Sequence, residues 1–258
     1  MLRSERLDVL IDFGYWTRLE ALYAALSGAA YTVGFATAGQ RRHYAYDATV
    51  EHSGAVHELE NFRGLAGRIG LRSESEPRFV PESGALRATL PDRYVVFHLW
   101  PGGYRSQLRE WPQDRWRELA RRFTEAGFTP VLTGGPADVA RTEAFIRSCG
   151  ELCPIVSLAG RRLSELVDVL ADARCVVSVN TGIMHLAAAV GAPTVALNGP
   201  TSARRWSPRG PNVICVDSEL PGCGFLNLGF EYAGQRTDCM AGISVSRVAE
   251  VALERVHA

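Results

Sequence analysis

From residue 94 onward, short β-branched runs alternate with helical segments, and the connections between them are turns rather than long loops. The pattern predicts strands at 94–99, 128–133, 155–158, 175–179, 193–197 and 213–216, with helices at 113–126, 138–149, 164–171 and 182–190. Trp111-Pro112 opens the first of these helices, Gly127 closes it, and Ser164 is the expected cap of the third. Repeated strand–helix–strand units with short links require a parallel sheet with right-handed crossovers and helices on both faces. This part of the chain is therefore predicted to be an α/β, Rossmann-like domain, whose ligand would lie outside the carboxyl ends of the strands.

One of those strand ends carries more chemistry than the others. Residues 175–189 read as a buried strand, the polar turn Asn180-Thr181-Gly182, and a helix of small and apolar residues. A helix N-terminus presents unpaired N–H groups and the positive end of the helix dipole, so a phosphate is stabilised there. Gly182 lets a ligand approach the backbone, Thr181 offers a hydroxyl, and His185 lies one turn into the helix. The same residues also suit an ordinary strand–helix corner, with Asn180 or Thr181 as cap and His185 in the core.

Further open turns end other strands of the same sheet: Trp100-Pro101-Gly102-Gly103, Gly134-Gly135-Pro136 and Asn198-Gly199-Pro200-Thr201. Together with 180–182 they suit a crevice of nucleotide size, although backbone geometry alone accounts for many turn glycines. Charge limits the partners. The 28 basic and 28 acidic residues cancel, so no net field favours nucleic acid or an anionic membrane, and phosphate recognition has to be local. All 28 of those basic residues are arginine, which excludes lysine Schiff-base chemistry. The 6 cysteines form no CxxC pair, and the chain reads as cytosolic and reduced, with no metal site. Pairing or metal binding by Cys223 and Cys239, which flank a Gly-rich segment, is the lesser alternative. No leader and no membrane-spanning apolar run is evident, which leaves at most peripheral membrane contact.

Before residue 72 the signals thin to strands at 7–11 and 31–35 and helices at 17–26 and 58–69. The first strand ends in Asp12-Phe13-Gly14. So small a set makes a marginal domain, and the chain is expected to begin inside one. Residues 72–92, polar with several prolines, read as a linker.

The ordered set Trp100-Pro101-Gly102-Gly103, Arg109-Glu110-Trp111-Pro112, Gly134-Gly135, Asn180-Thr181-Gly182-Ile183-Met184-His185-Leu186-Ala187, Gly191-Ala192-Pro193-Thr194, Leu197, Gly199-Pro200-Thr201 and Cys239-Met240 resembles glycosyltransferase family 9, the bacterial heptosyltransferases of lipopolysaccharide assembly. The resemblance covers about residues 5–256 and is densest over 94–208. It implies a GT-B-like fold of two Rossmann-like domains facing a cleft, the first truncated. The implied organisation is a partial acceptor-side domain at 1–71, the linker 72–92, a donor-binding domain at 93–242 and a C-terminal helix at 243–258. It further implies metal-independent, inverting transfer of a heptose from an ADP-sugar to a lipopolysaccharide-like or other glycan or glycolipid acceptor. No cofactor is needed, and the location is cytoplasmic, at the inner face of the membrane.

Carried over residue by residue, the resemblance assigns donor binding to His98, Gly102, Gly103, Arg109, Gly135, Asn180, Thr181, Gly182, His185, Gly199 and Thr201. Arg109 stands where the family usually has lysine, and its fork can grip a phosphate bidentately; the alternative is a solvated surface arginine. Asp138 is either a nucleotide contact or a helix cap, the latter preferred, and Trp111 reads as core packing. Asn180 replaces the family's usual aspartate, removing a negative charge beside the diphosphate. The family's opening strand, with its catalytic aspartate, has no counterpart before Met1. Inverting transfer needs a base, and Asp12 is the substitute on offer, though a strand-end aspartate also forms turns. Two alternatives stay open: a catalytically incomplete nucleotide-sugar-binding protein, and an isomerase of the nucleotide-sugar epimerase type.

Overall fold

The computed structural model describes residues 7–81, 86–151 and 153–257; residues 82–85 of the expected linker and the first six residues of the expected first domain lie outside these. The chain divides into two units, Met1–Ser75 and Glu76–Ala258. In the first, β1 (Val9–Ile11), α1 (Arg18–Leu26), β2 (Tyr31–Ala36), β3 (Ala48–Glu51) and α2 (Glu58–Arg68) build a parallel sheet in the order β1-β2-β3. β3 is the strand the sequence reading missed. Its run is too short to show a period by itself, and its pairing comes from register, Phe35 opposite Val50. The Asp47 carboxylate, just before it, accepts hydrogen bonds from the Thr32 N–H and hydroxyl, each at 2.8 Å. The core here is small, centred on Val33, Phe35 and Leu65. Helix α1 turns Ala21 and Ala24 inward and leaves Leu19, Leu22, Tyr23 and Leu26 exposed.

The second unit contains β4 (Tyr94–His98), α3 (Gln113–Glu125), β5 (Thr129–Thr133), α4 (Val139–Cys149), β6 (Val156–Ser157), α5 (Leu163–Ala171), β7 (Val176–Val179), α6 (Gly182–Ala189), β8 (Thr194–Asn198), α7 (Ala203–Trp206), β9 (Val213–Asp217) and α8 (Val245–His257). Its six strands are all parallel, in the order β6-β5-β4-β7-β8-β9. Alternation along the strands serves two apolar layers. Val95, Phe97, Val177 and Val179 pack with Trp116, Leu119 and Phe123 of α3 and with Val248 and Ala252 of α8. Tyr94, Val96 and Val176 pack on the opposite face with Leu166, Val169 and Leu170 of α5 and Ala187 of α6. Every residue of β4, β7 and β8 is buried, as parallel strands covered on both faces must be.

Trp111 joins this core at 1% exposure, its Nε1–H donating to the Ile243 carbonyl at 3.0 Å. The expected cap at Ser164 is corrected: α5 begins at Leu163, Arg162 holds the cap position, and the Arg162 N–H donates to the Glu165 carboxylate at 3.0 Å. A glutamate three residues past the cap satisfies the leading N–H without a serine.

The reading of all cysteines as reduced thiols is also corrected, because Cys223 and Cys239 form a disulfide, their Cα atoms 5.7 Å apart. The chain after β9 doubles back on the loop that follows β8. The Gly224 N–H donates to the Gly199 carbonyl at 3.0 Å and the Leu226 N–H to the Pro200 carbonyl at 2.8 Å. Met240 presses on the same loop: a Cβ at Gly199 would lie 2.3 Å from its Sδ. Of the readings given for these two cysteines, the lesser one, pairing, is the one observed. Among the described residues no helix is long and apolar enough to cross a membrane.

Closing a loop over a separation of 16 residues removes unfolded-chain entropy, so reduction is expected to lower the stability of the second unit by about 3 kcal/mol. Urea denaturation with and without a dithiol reductant measures this, with Cys223→Ser/Cys239→Ser as the control that should ignore the reductant.

Candidate functional site

Strand order locates the site. The sheet winds outward from β4 through β5 to β6, then returns to β7 and runs through β8 to β9, so the winding reverses between β4 and β7. Ligands of doubly wound sheets lie in the crevice outside the carboxyl ends at that point. The loops that follow β4 and β7 are 99–103 and 180–182, flanked by 134–136 after β5 and 199–201 after β8. The four open turns of the sequence therefore end four adjacent strands.

At the centre is the start of α6. Thr181 occupies the cap position in extended backbone, φ −152° and ψ 175°, yet its side chain makes no capping bond. Its Oγ1 is buried and has no hydrogen-bond partner, a costly state for a hydroxyl unless something else supplies one. Gly182 is exposed, and a Cβ placed there would meet no atom within 4 Å. The first turn of α6, with its unpaired N–H groups, thus opens on unfilled space. His185 lies one turn in, half-buried.

The loop after β4 is less available. His98 is buried, its Nδ1 2.9 Å from the Thr133 hydroxyl. Burial pushes its pKa down to about 4, against the opposing pull of Asp138. It is a neutral imidazole at pH 7 and brings no positive charge. Gly103 adopts φ +88°, which favours glycine. Arg109 folds back over this loop, its guanidinium donating to the Gly102 carbonyl while Nε is buried without a partner. At the next turn the Gly135 N–H donates to Asp138 Oδ2 at 2.7 Å. Asp138 in turn accepts from Arg141 at 2.7 Å, and Arg141 lies 4.1 Å over the Trp100 ring. Asp138 therefore braces the glycine turn.

Asn180 is turned sideways. Its Nδ2 donates to Asn198 Oδ1 at 3.0 Å and to the Trp206 carbonyl at 3.2 Å, and Asn198 Nδ2 donates to Asp217 Oδ1 at 3.1 Å. Both amide hydrogens of Asn180 are thereby occupied, so its side chain has no donor left for an anion. Gly199 is buried against Met240 and acts as packing. Thr201, 7% exposed, bridges to Leu226. The sequence reading missed Asn198 and Asp217, whose pairing arises from the register of β8 on β9.

Asp12, the candidate base, belongs to the first unit and is already engaged. Its Oδ2 accepts from Arg42 at 2.6 Å and from the Tyr46 hydroxyl, and its Oδ1 accepts from the Gly14 N–H at 2.8 Å. Arg42 is fully buried. Burial foremost, with the Asp12 carboxylate, pushes the Tyr46 phenol well above its ordinary range. These contacts support the turn-forming role of Asp12, since both of its carboxylate oxygens already accept from donors within the first unit. Among the described residues no three His, Cys, Asp or Glu side chains converge as a metal-binding group.

The family model described as glycosyltransferase family 9 (heptosyltransferase) matches residues 21–223. Lipopolysaccharide heptosyltransferase 1 of Pseudomonas aeruginosa is 38% identical over 155 residues, covering 56% of this chain and 41% of its own length. Lipooligosaccharide heptosyltransferase 2 of Haemophilus influenzae is 35% identical over 126 residues, 47% of this chain and 36% of its own. The chain thus spans about two fifths of the length of these curated relatives. Among solved structures, E. coli ADP-heptose lipopolysaccharide heptosyltransferase II superposes with a TM-score of 0.77 at 21% identity, covering 99% of this chain and 78% of that one. An E. coli heptosyltransferase solved with ADP gives 0.72 at 20%, covering 98% and 74%. At those identities the likeness is one of fold, α/β and GT-B-like.

Two outcomes are expected. With a folded-state pKa of about 4 against an ordinary value of 6.5, His98 takes up its proton in the unfolded chain first. Its contribution is intact above pH about 6.5 and is lost as pH falls toward 4, by about 3 kcal/mol in all. Urea melts at pH 7 and 4.5 should show that loss in the wild type and a correspondingly smaller one in His98→Gln. Arg42→Ala should cost the first unit about 3–5 kcal/mol by stranding Asp12, measured by denaturation, with Asp12→Asn the milder change.

Proposed function

The chain belongs to glycosyltransferase family 9, and on that premise we propose that it is a glycosyltransferase of heptosyltransferase type. It takes a sugar, heptose foremost, from an ADP-sugar and passes it with inversion, without a metal, to a lipopolysaccharide-like glycan or glycolipid acceptor at the cytoplasmic face of the membrane. The names of its relatives support the donor and acceptor classes, and one E. coli heptosyltransferase was solved with ADP-2-deoxy-2-fluoro heptose.

One observation carries the reading: at the reversal point of the sheet, Thr181 offers a buried hydroxyl with no partner beside the open first turn of α6. A pyrophosphate seated there accepts from the leading N–H groups of α6 and from Thr181. As the bond between the sugar's anomeric carbon and the β-phosphate oxygen breaks, negative charge grows on that phosphate, where fixed donors and the helix dipole stabilise it most. Arg109 exchanges its bond to the Gly102 carbonyl for a phosphate oxygen, and its buried Nε gains a partner. His185 lies within the first turn and a half and complements the same anion. His98, neutral, shapes the floor. Asn180 contributes through its backbone, its side chain being committed to Asn198.

A second reading, donor binding without transfer, rests on Asp12. Its carboxylate is held by Arg42, Tyr46 and Gly14, so the candidate base is already committed to donors of its own unit.

Calorimetry with ADP should detect binding, and Thr181→Val should weaken it by about 1–3 kcal/mol. A folded wild-type protein that does not bind ADP at millimolar concentration overturns the proposal. ADP release from an ADP-sugar in the presence of acceptor, against binding with no turnover, separates the two readings.

A further inference from the structure

Helix α1 carries its large apolar side chains away from its own sheet. Ala21 and Ala24 are buried, while Leu19, Leu22, Tyr23 and Leu26 are each more than half exposed. Positions i, i+3, i+4 and i+7 of a helix share one stripe, and at 3.6 residues per turn this stripe lies opposite the two alanines. A helix that had only to cover β2 would turn its leucines inward. One that is apolar on both sides is built to be covered twice. The stripe contains no charged residue, and Arg18 and Glu20 flank it on opposite sides. A contiguous exposed apolar surface with a polar rim marks an interaction site.

The stripe is a palindrome. Read from either end its spacing is three, one, three, so a two-fold axis passing between residues 22 and 23 lays α1 antiparallel on a copy of itself. Leu19 then meets Leu26 of the second copy and Leu22 meets its Tyr23, each contact made twice, which is the self-complementarity a closed two-fold pair requires. Charge agrees with this direction. The last turn of α1 has no basic side chain, and the antiparallel pair brings Arg18 of each copy to the negative end of the other's helix, where a cation is stabilised. The two Arg18 side chains stand at opposite ends of the contact, as do the two Glu20, so no like charges meet. A lipid surface fits less well, because helices that lie on membranes carry arginines and lysines along the polar face, whereas the single arginine of α1 is offset by a glutamate. We propose that the exposed stripe of α1 is the contact face of a two-fold homodimer of this chain. The helix has 9 residues and is about 14 Å long, which makes the contact smaller than a standard interface of about 1,600 Å² and the pairing concentration-dependent. The inference does not depend on the transferase reading.

Analytical ultracentrifugation of the full chain, from low to high micromolar concentration, tests this. The average mass of the wild type should rise from that of one chain toward that of two. Leu22→Glu and Tyr23→Arg, both at exposed positions and so compatible with folding, should each weaken association about tenfold or more. Leu163→Glu, at an exposed leucine of the second unit, should leave it unchanged. Because residue 22 of one copy faces residue 23 of the other, an equimolar mixture of Leu22→Glu and Tyr23→Arg should associate more tightly than either variant alone, the new carboxylate lying opposite the new guanidinium. Circular dichroism confirms that every variant is folded. A wild type that stays a single chain throughout would overturn the proposal. So would association that neither variant weakens, which would place the contact elsewhere. A single-chain wild type that sediments with phosphatidylglycerol vesicles, and loses that binding in Leu22→Glu, would give the stripe to a membrane and likewise overturn the dimer.

Discussion

Burial of β4 and β7 side by side, each covered on both faces, is the constraint on which the rest of the second unit depends. Parallel strands sandwiched between two apolar layers run the same way, so all their carboxyl ends open on one edge. The reversal of winding between those two strands then leaves a gap over their ends that neither flank of helices fills. Phe97 and Val177, packed under Trp116 and Phe123, are thus as much a part of the site as Thr181, since they hold the strand that delivers it.

Polar groups around that edge divide into those the protein has already used and those it has not. Asp138, Arg141 and Trp100 brace one turn, and Asn180, Asn198 and Asp217 link three strand ends. Both sets satisfy one another and supply rigidity. Thr181 Oγ1 and Arg109 Nε are buried without partners, which is the expected state of groups kept for a ligand. Preorganised donors of this kind stabilise developing charge without rearranging at the moment of reaction.

Sequence legibility follows from locality. Residues 175–189 declare strand, turn and helix because those elements are contiguous and each has its own period, and the resemblance rests on turns of the same local kind. Register-dependent features stay hidden. Asn198 meets Asp217 only once β8 lies on β9; the pairing of Cys223 with Cys239, an alternative in the sequence, is decided only when two loops fold over one strand end. Asp12 looks like a free carboxylate until Arg42, 30 residues away, is folded onto it. β3 is too short to signal itself, and it forms because Phe35 and Thr32 wait on the neighbouring strand and at its entry.

Everything functional here returns to the leading N–H groups of α6 receiving a pyrophosphate. Titrating ADP into isotopically labelled protein and following backbone amide resonances tests this directly. The account predicts that the Gly182 and Ile183 amides shift and saturate together, ahead of any others in the second unit. A well-dispersed, folded spectrum in which those two resonances stay put at millimolar ADP would contradict it.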